Sequence, residues 1–500
     1  MSCVSYRFIR DLEVVRDVHR EVRNMSNELG FYINGVWRSP AQPNSKTIKV
    51  INPSTEELIA SVACGSRADV DAAVNSAVHG FEIWSQSSRA ERARVLEKII
   101  DQYESRMDDL AAMMSQEMGA PASLAKNGQA AAGLSHFRAA LNVLANYEFE
   151  SMEGKDRIWR EPIGVCGLIT PWNWPMNQIA SKVAPAIATG CAMVLKPSEM
   201  TPFSANIFAE ILHDADVPPG VFNLVNGDGP ETGRAICEHD QIDMISFTGS
   251  TQAGIEIARS AAASIKRVTQ ELGGKSAQIV LDDAEFERAV SFCASSVFLN
   301  SGQSCNAPTR LLVPKNKIEE AASIAHKCAQ SVKVGPANDH DANMGPVVSK
   351  IQRDRIIELI RSGIDQGATL VCGGPSRPDG LQAGYFVRPT VFCHVDNKMR
   401  IAQEEIFGPV LSIISYDSDD EAIKIANDSP YGLAAYVWGS NHARIQNFVS
   451  RLRVGSISVN GTGPGVTAPF GGFKQSGNGR ERGAHGFLEF QELKSVGGLS

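Results

Sequence analysis

The sequence predicts an α/β protein with two doubly wound parallel sheets. Three observations lead there. Short, nearly continuous apolar runs alternate with helical segments between residues 163 and 263, and again from 276 to 459. Runs of that kind are strands buried on both faces, and strand–helix alternation builds parallel sheets. Glycine-rich turns follow several of these strands, where ligands bind in such sheets. The chain has 500 residues, enough for two or three domains with substantial cores.

Composition narrows the function classes. The hydrophobic (43%) and charged (21%) fractions are those of an ordinary soluble globular protein. A formal net charge of −8 argues against a nucleic acid or an anionic membrane surface as the main partner. The longest apolar run, 183–195, contains Pro185 and is too short to span a bilayer. Arg7, Arg10, Asp11, Glu13 and Arg16 do not make a signal peptide. The ten cysteines show no C-x-x-C pair and no zinc-like spacing, so no metal is expected. Cys191, Cys293 and Cys328 read as small core residues, and a reducing cytoplasm is the expected compartment.

Taken in order, residues 1–28 are charged and weakly periodic and are set apart as an N-terminal extension, with Met25 an alternative start. Residues 31–62 read as short strands with Asn-Gly and Asn-Pro turns. Ser88 and Glu91 form a capping box ahead of one long amphipathic helix, 89–118, which Gly119-Ala-Pro121 ends. A second helical region covers 122–147. Strands at 163–169, 192–195, 221–225 and 244–247 are followed by helices at 175–189, 202–214, 231–238 and 251–263. Thr201 and Pro202 supply an N-cap and a first-turn proline. The second alternation opens at 276–281 and continues through 411–415, 433–438 and 456–459. Between a helix at 289–299 and a strand at 309–313, the polar run 300–304 is expected to be a loop, and Cys305 ends it.

Several residues carry possible chemistry. A thiol on such a loop has backbone N–H groups and some solvent around it, which suits a thiolate nucleophile; one more buried free cysteine is the plainer alternative. Glu271, at a strand end before Gly273-Gly274, is alone a solvated carboxylate, but beside a nucleophilic cysteine it becomes a general base for water. Asn173, between Trp172 and Trp174, is either loop packing or an amide donor to an oxyanion. Two glycine-rich stretches compete for phosphates. Residues 227–233 have the spacing G-x-G-x-x-x-G, whereas 247–254 end a strand and open a helix whose N–H groups can face an anion. Neither has the Lys-Ser/Thr of a Walker loop, which disfavours ATP chemistry, and structural glycines remain the alternative for both.

Pro171-Trp-Asn-Trp-Pro175, Lys196-Pro-Ser-Glu199, Phe247-Thr-Gly-Ser250, Gln270-Glu-Leu-Gly-Gly-Lys275, Asn300-Ser-Gly-Gln-Ser-Cys305 and Glu404-Glu-Ile-Phe-Gly-Pro409 together resemble the motifs of the NAD(P)-dependent aldehyde dehydrogenase superfamily, in its order. The resemblance runs from about Phe31 to about Glu492. It implies an aldehyde-dehydrogenase-like fold: an NAD-binding domain (29–140 and 161–271), a catalytic domain (272–472), and a small β oligomerisation arm with tail (141–160 and 473–500). The arm would join the chain into a homodimer or homotetramer.

The resemblance also implies roles. Cys305 would be the nucleophile, Glu271 the base and Asn173 an oxyanion donor, with Lys182 near that network. Ile169, Thr170, Pro171 and Trp172 would border the cofactor, with Lys196, Ser198 and Glu199 on the adenosine ribose and Gly229, Pro230 and Gly233 at the adenine. Ser250 would meet the pyrophosphate, with Phe247, Thr248 and Gly249 also at the cofactor. Leu272, Gly273, Glu405 and Phe407 would complete the set at the nicotinamide end. Glu199 would favour NAD, with NADP possible, because a carboxylate there repels a 2′-phosphate. Trp174, Gln178, Leu299, Ser304, Asn306, Thr462 and Phe470 would line the aldehyde pocket, whose mouth at 461–470 is rich in glycine. These segments offer no arginine to clamp a carboxylate.

The implied reaction is aldehyde oxidation through a thiohemiacetal and a thioester on Cys305, with hydrolysis assisted by Glu271. A free thiol is only a few per cent ionised at pH 7, so the site is expected to lower the pKa of Cys305. Acyl transfer to coenzyme A is a second enzymatic reading, and a structural protein recruited from this fold is a third. A papain-like hydrolase would need a histidine signature that the ten histidines do not show.

Overall fold

The computed structural model describes residues 30–42 and 45–498; the N-terminal extension at 1–28 lies outside the described residues. Val165–Ile169, Ala192–Lys196 and Met244–Thr248 are buried along their whole length, as continuous apolar strands must be when helices cover both faces. They form the middle of an eight-stranded sheet. Its order is Val36–Arg38, Phe31–Ile33, Phe222–Leu224, Ala192–Lys196, Val165–Ile169, Met244–Thr248, Arg267–Glu271 and Gly477–Asn478. The five strands from Phe222 to Glu271 run parallel. Strand order reverses between Val165–Ile169 and Met244–Thr248, so the ends of these two strands open a crevice.

Glu271 closes the last parallel strand of this sheet, and Ala277–Val280 opens the second. That sheet has seven strands: Thr369–Cys372, Thr390–Cys393, Val410–Tyr416, Arg310–Pro314, Ala277–Val280, Ala434–Trp438 and Ser456–Val459. All pair in parallel except the edge strand Thr369–Cys372. Gln491–Val496, Asp156–Pro162 and Glu150–Glu153 form a separate antiparallel arm. The fold is that of two α/β units and a small β arm.

Helices Pro175–Thr189 and Pro202–Asp214 begin at first-turn prolines, and Gly190 ends the first with a left-handed φ of 95°. Three local expectations change. The long helix is two, Arg89–Ser105 and Met107–Glu117, because Arg106 (φ −107°) turns to pair with Asp109 and Glu210. Thr201 makes no side-chain cap. Instead the buried Glu117 carboxylate accepts from Phe203 N (2.8 Å) and Ser204 N (3.0 Å), a cap supplied from another helix. The second helical region passes through a π-helical turn, Ala125–Ala130, before Ala131–Asn146.

Candidate active site

The loop expected before the thiol is a tight turn, and Cys305 itself is partly exposed. Asn300, Ser301 and Gly302 take left-handed φ values of 53°, 55° and 75° in succession, which costs energy for Asn and Ser. Buried amides hold them there. Asn300 Nδ2 donates to Asn173 O (2.9 Å) and Gln303 O (3.2 Å), and Gln303 Nε2 donates to Asn300 O (2.9 Å). Gln129 Nε2, from the π-helical turn, donates to Asn300 Oδ1 (3.1 Å). Asn173 Nδ2 donates to Gln303 O (3.0 Å), which uses one of its two N–H groups. Gly274 is needed for close approach rather than flexibility: a Cβ there would lie 2.2 Å from Cys305 O.

Cys305 and Glu271 line one cavity of about 160 Å³, together with Asn173, Gln178, Glu405 and Phe407. Both Glu271 oxygens are buried without a hydrogen-bond partner among the described residues. Burial, reinforced by the Glu481 charge, holds this carboxyl well above the usual carboxylate range. The expected lowering of the Cys305 pKa is not found. Burial first, then the neighbouring Glu405 and Glu271 carboxylates, push the thiol up to about 12, with Arg482 opposing. The fold replaces a solvated loop by a recess shared with two acids.

The crevice suits a dinucleotide. Ile169 and Thr248 end the two central strands, Thr170 follows the first and Phe247 precedes the end of the second, and Pro171, Trp172, Thr248, Gly249, Ser250, Leu272 and Gly273 line the same cavity as Cys305. Thr170 Oγ1 and Thr248 Oγ1 are buried without partners among the described residues, leaving polar atoms for a ligand. Ser250 caps Thr251–Ala261, accepting from Ala253 N at 3.2 Å, and so sets a helix N-terminus at the crevice. Trp172 meets Phe407 edge-on, with centroids 5.3 Å apart. Glu405 Oε1 accepts from Gly274 N (2.9 Å), and burial pushes its pKa up to about 7.

The residues expected at the adenosine form a neighbouring group outside the cavity. Lys196 is buried and donates to Pro197 O and Gly227 O (2.9 Å each), with Glu199 at 3.8 Å. Ser198 Oγ accepts from Met200 N (3.2 Å). A Cβ on Gly233 would lie 3.7 Å from the Lys196 stem, while Gly229 faces open space and Pro230 is exposed. Gln352 and Arg355 also line the cavity, donating to Phe407 O (2.9 Å) and Glu405 O (3.3 Å). Both sit on the amphipathic helix Lys350–Asp365, which carries no motif.

The model of the Aldehyde dehydrogenase family matches residues 37–496. The chain belongs to the aldehyde dehydrogenase family. It is 50% identical over 469 residues to 3-succinoylsemialdehyde-pyridine dehydrogenase from Pseudomonas sp., covering 94% of this chain and 98% of that protein. It is 49% identical over 470 residues to a putative aldehyde dehydrogenase of Staphylococcus aureus strain MSSA476, covering 93% of this chain and 98% of the relative. The structure resembles a mutant of aldehyde dehydrogenase C from Pseudomonas syringae in complex with NAD+ and octanal (TM-score 0.93, 50% identity, covering 95% of this chain and 97% of that one). It also resembles a Mycobacterium tuberculosis aldehyde dehydrogenase complexed with NAD+ (TM-score 0.90, 38% identity, covering 93% and 97%).

In this aldehyde dehydrogenase Lys182 stands outside the cavity lining. Its ammonium is buried and donates to Ser246 Oγ (3.1 Å) and to the Glu481 carboxylate, 299 residues away. Burial alone would raise the Glu481 carboxyl, but Lys182 holds it below its ordinary value. Glu481 carries no motif in the sequence, and its partner Lys182 lies 299 residues away, so sequence reasoning misses it.

Trp174 Nε1 donates to Ser304 Oγ (2.8 Å), and Asn306 O accepts from the Tyr436 hydroxyl (2.9 Å). Leu299 is 46% exposed and Phe470 half-buried. Thr462 is exposed and paired through its backbone with Val459; of the seven residues expected at the aldehyde pocket, only Gln178 lines the cavity that holds Cys305. Cys64, Asp228 and Glu231 approach one another within 4.8 Å, but Asp228 is taken up by Lys46 and the Glu231 N–H. Among the described residues no helix is long and apolar enough to cross a membrane.

Proposed function

We propose that Cys305 is the nucleophile and Glu271 the general base in the NAD-dependent oxidation of an aldehyde to its carboxylic acid. The observation that carries this reading is a single cavity holding the thiol, a buried carboxylate without partners and the Asn173 amide, at the switch point of a parallel sheet. The Cys305 thiol releases its proton to solvent, its sulfur adds to the aldehyde carbon, and the oxyanion that forms accepts from Asn173 Nδ2 and the Cys305 N–H. NAD, held by the strand-end turns and the Trp172–Phe407 wall, supplies a hydride acceptor when bound. A thioester on Cys305 remains. Glu271, a stronger base than an exposed glutamate because its pKa is raised, takes a proton from water as the water oxygen adds to the thioester carbonyl. The C–S bond then breaks, releasing the acid and restoring the thiol.

Glu199 beside Lys196 supports NAD over NADP. The carboxylate at 271 favours water over coenzyme A as acyl acceptor. The relatives are named for 3-succinoylsemialdehyde-pyridine and for octanal as a bound molecule, which supports an organic aldehyde larger than acetaldehyde. Residues 29–140 with 161–271 form the NAD-binding domain and 272–472 the catalytic domain. The arm carries the exposed apolar residues Met152 and Leu493, which fits self-association as a dimer or tetramer. Scattered free cysteines support a cytoplasmic setting. The test is NADH formation from octanal with analysis of the product: octanoate without added coenzyme A is expected, and absence of NADH would overturn the reading.

A further inference from the structure

Arg482 adopts φ 73° and ψ 155°, a backbone region nearly reserved for glycine. The turn is fixed on both sides: Phe470 and Glu481 exchange two backbone hydrogen bonds of 2.8 Å, and Gly486 N donates to Arg482 O at 2.8 Å. This geometry lays the guanidinium on the Phe470 ring, 4.5 Å from its centroid. Arg482 Nε is buried without a hydrogen-bond partner among the described residues. The adjacent carboxylate, Glu481, is already taken by Lys182. A strained, half-buried cation with a buried, idle Nε–H gains from an acceptor that arrives from outside.

The Arg482–Phe470 pair stands next to the reacting residues, just outside the lining of the cavity that holds Cys305. Gly471, next to Phe470, lies so close to Glu271 that a Cβ on it would be 2.6 Å from Oε1. The Arg482 charge also reaches Cys305 and Glu271, favouring their ionised forms. Resting on the roles given above to Cys305 and Glu271, we propose that Arg482 determines substrate specificity: its guanidinium, backed by Phe470, receives a second oxygen acceptor, carboxylate or ketone, carried by the aldehyde. A stacked guanidinium keeps its planar fork of donors free at the edge, which suits a bidentate carboxylate and also serves a single ketone oxygen. The arginine missing from the segments at the pocket mouth is supplied from the turn behind it.

The experiment compares kcat/KM with NAD for ω-oxo carboxylates, oxo-aldehydes and plain aldehydes matched in chain length from four to eight carbons. Arg482→Gly suits the backbone conformation and removes the side chain, so the variant is expected to fold; quenching of its fluorescence by NAD checks that it does. For the best acceptor-bearing aldehyde, the ratio of kcat/KM over its plain counterpart should fall roughly 10- to 100-fold in Arg482→Gly, mainly through KM. Arg482→Lys should keep part of that ratio for the carboxylates. Whether carboxylates or ketones lose more identifies the acceptor. An unchanged ratio in both Arg482→Gly and Arg482→Gln overturns the inference while leaving the assignment of Cys305 and Glu271 intact. Failure of the native enzyme to oxidise any of these aldehydes overturns both.

Discussion

The Asn173 amide lies 3.0 Å from the Gln303 carbonyl, so the side chain proposed to hold the oxyanion also braces the turn that carries Cys305. Asn173→Ala should lose both functions. We expect kcat to fall about 10²–10³-fold, as when one oxyanion donor is removed, together with a small drop in melting temperature and little change in NAD binding. Steady-state kinetics and thermal melting check this; a near-normal kcat would leave the amide with packing alone.

Cys305 and Glu271 should separate kinetically. Cys305→Ala should bind NAD and form no NADH from an aldehyde. Glu271→Gln should release a burst of NADH of up to about one equivalent per site and stall as a thioester. Rapid-mixing absorbance and intact mass spectrometry read the burst and the adduct. Normal steady-state turnover by Glu271→Gln would falsify its role as base, and an acyl adduct on another cysteine would remove Cys305.

The raised thiol pKa has a direct consequence for the free enzyme. A group titrating near 12 stays protonated through neutral and mildly alkaline pH, and its thiolate fraction rises about tenfold per pH unit. Alkylation of Cys305 by iodoacetamide without NAD should therefore climb through pH 7–9 with no plateau. Peptide mapping follows the rate at this one cysteine. A plateau near neutral pH would show that burial and the Glu405 and Glu271 charges do not hold the thiol protonated.

Glu199 is half-exposed beside the buried Lys196 ammonium. With this carboxylate at the ribose position, kcat/KM should be higher with NAD than with NADP, and Glu199→Ser should narrow the gap, mostly by lowering KM for NADP. Equal use of the two cofactors by the native enzyme would detach Glu199 from the ribose.

What sequence could show here was local. The central strands and the helices at Pro175 and Pro202 are legible because an apolar run, a first-turn proline and a terminal glycine sit within a few residues of one another. Asn-Ser-Gly reads as a loop, but the tightness of the turn comes from Gln129 and Asn173, distant in sequence, which satisfy its amides. The same limit hid the Glu117 cap, the Lys182–Glu481 pair and the cavity contacts of Gln352 and Arg355. The raised thiol pKa is not legible in sequence because it depends first on how deeply the fold buries the sulfur and then on which acids it places beside it.

Gly302 sits where a Cβ would meet the Gly408 carbonyl at 2.0 Å, whereas residues 461–467 are exposed. The two segments therefore differ in how they can change over generations. An insertion or a larger residue between Leu299 and Cys305 would displace Gly408 and, with it, the Phe407 wall, so variants there are purged together with the chemistry. The stretch 461–467 can gain, lose or exchange residues at little cost. New aldehydes can be explored at the rim while the reacting core stays frozen.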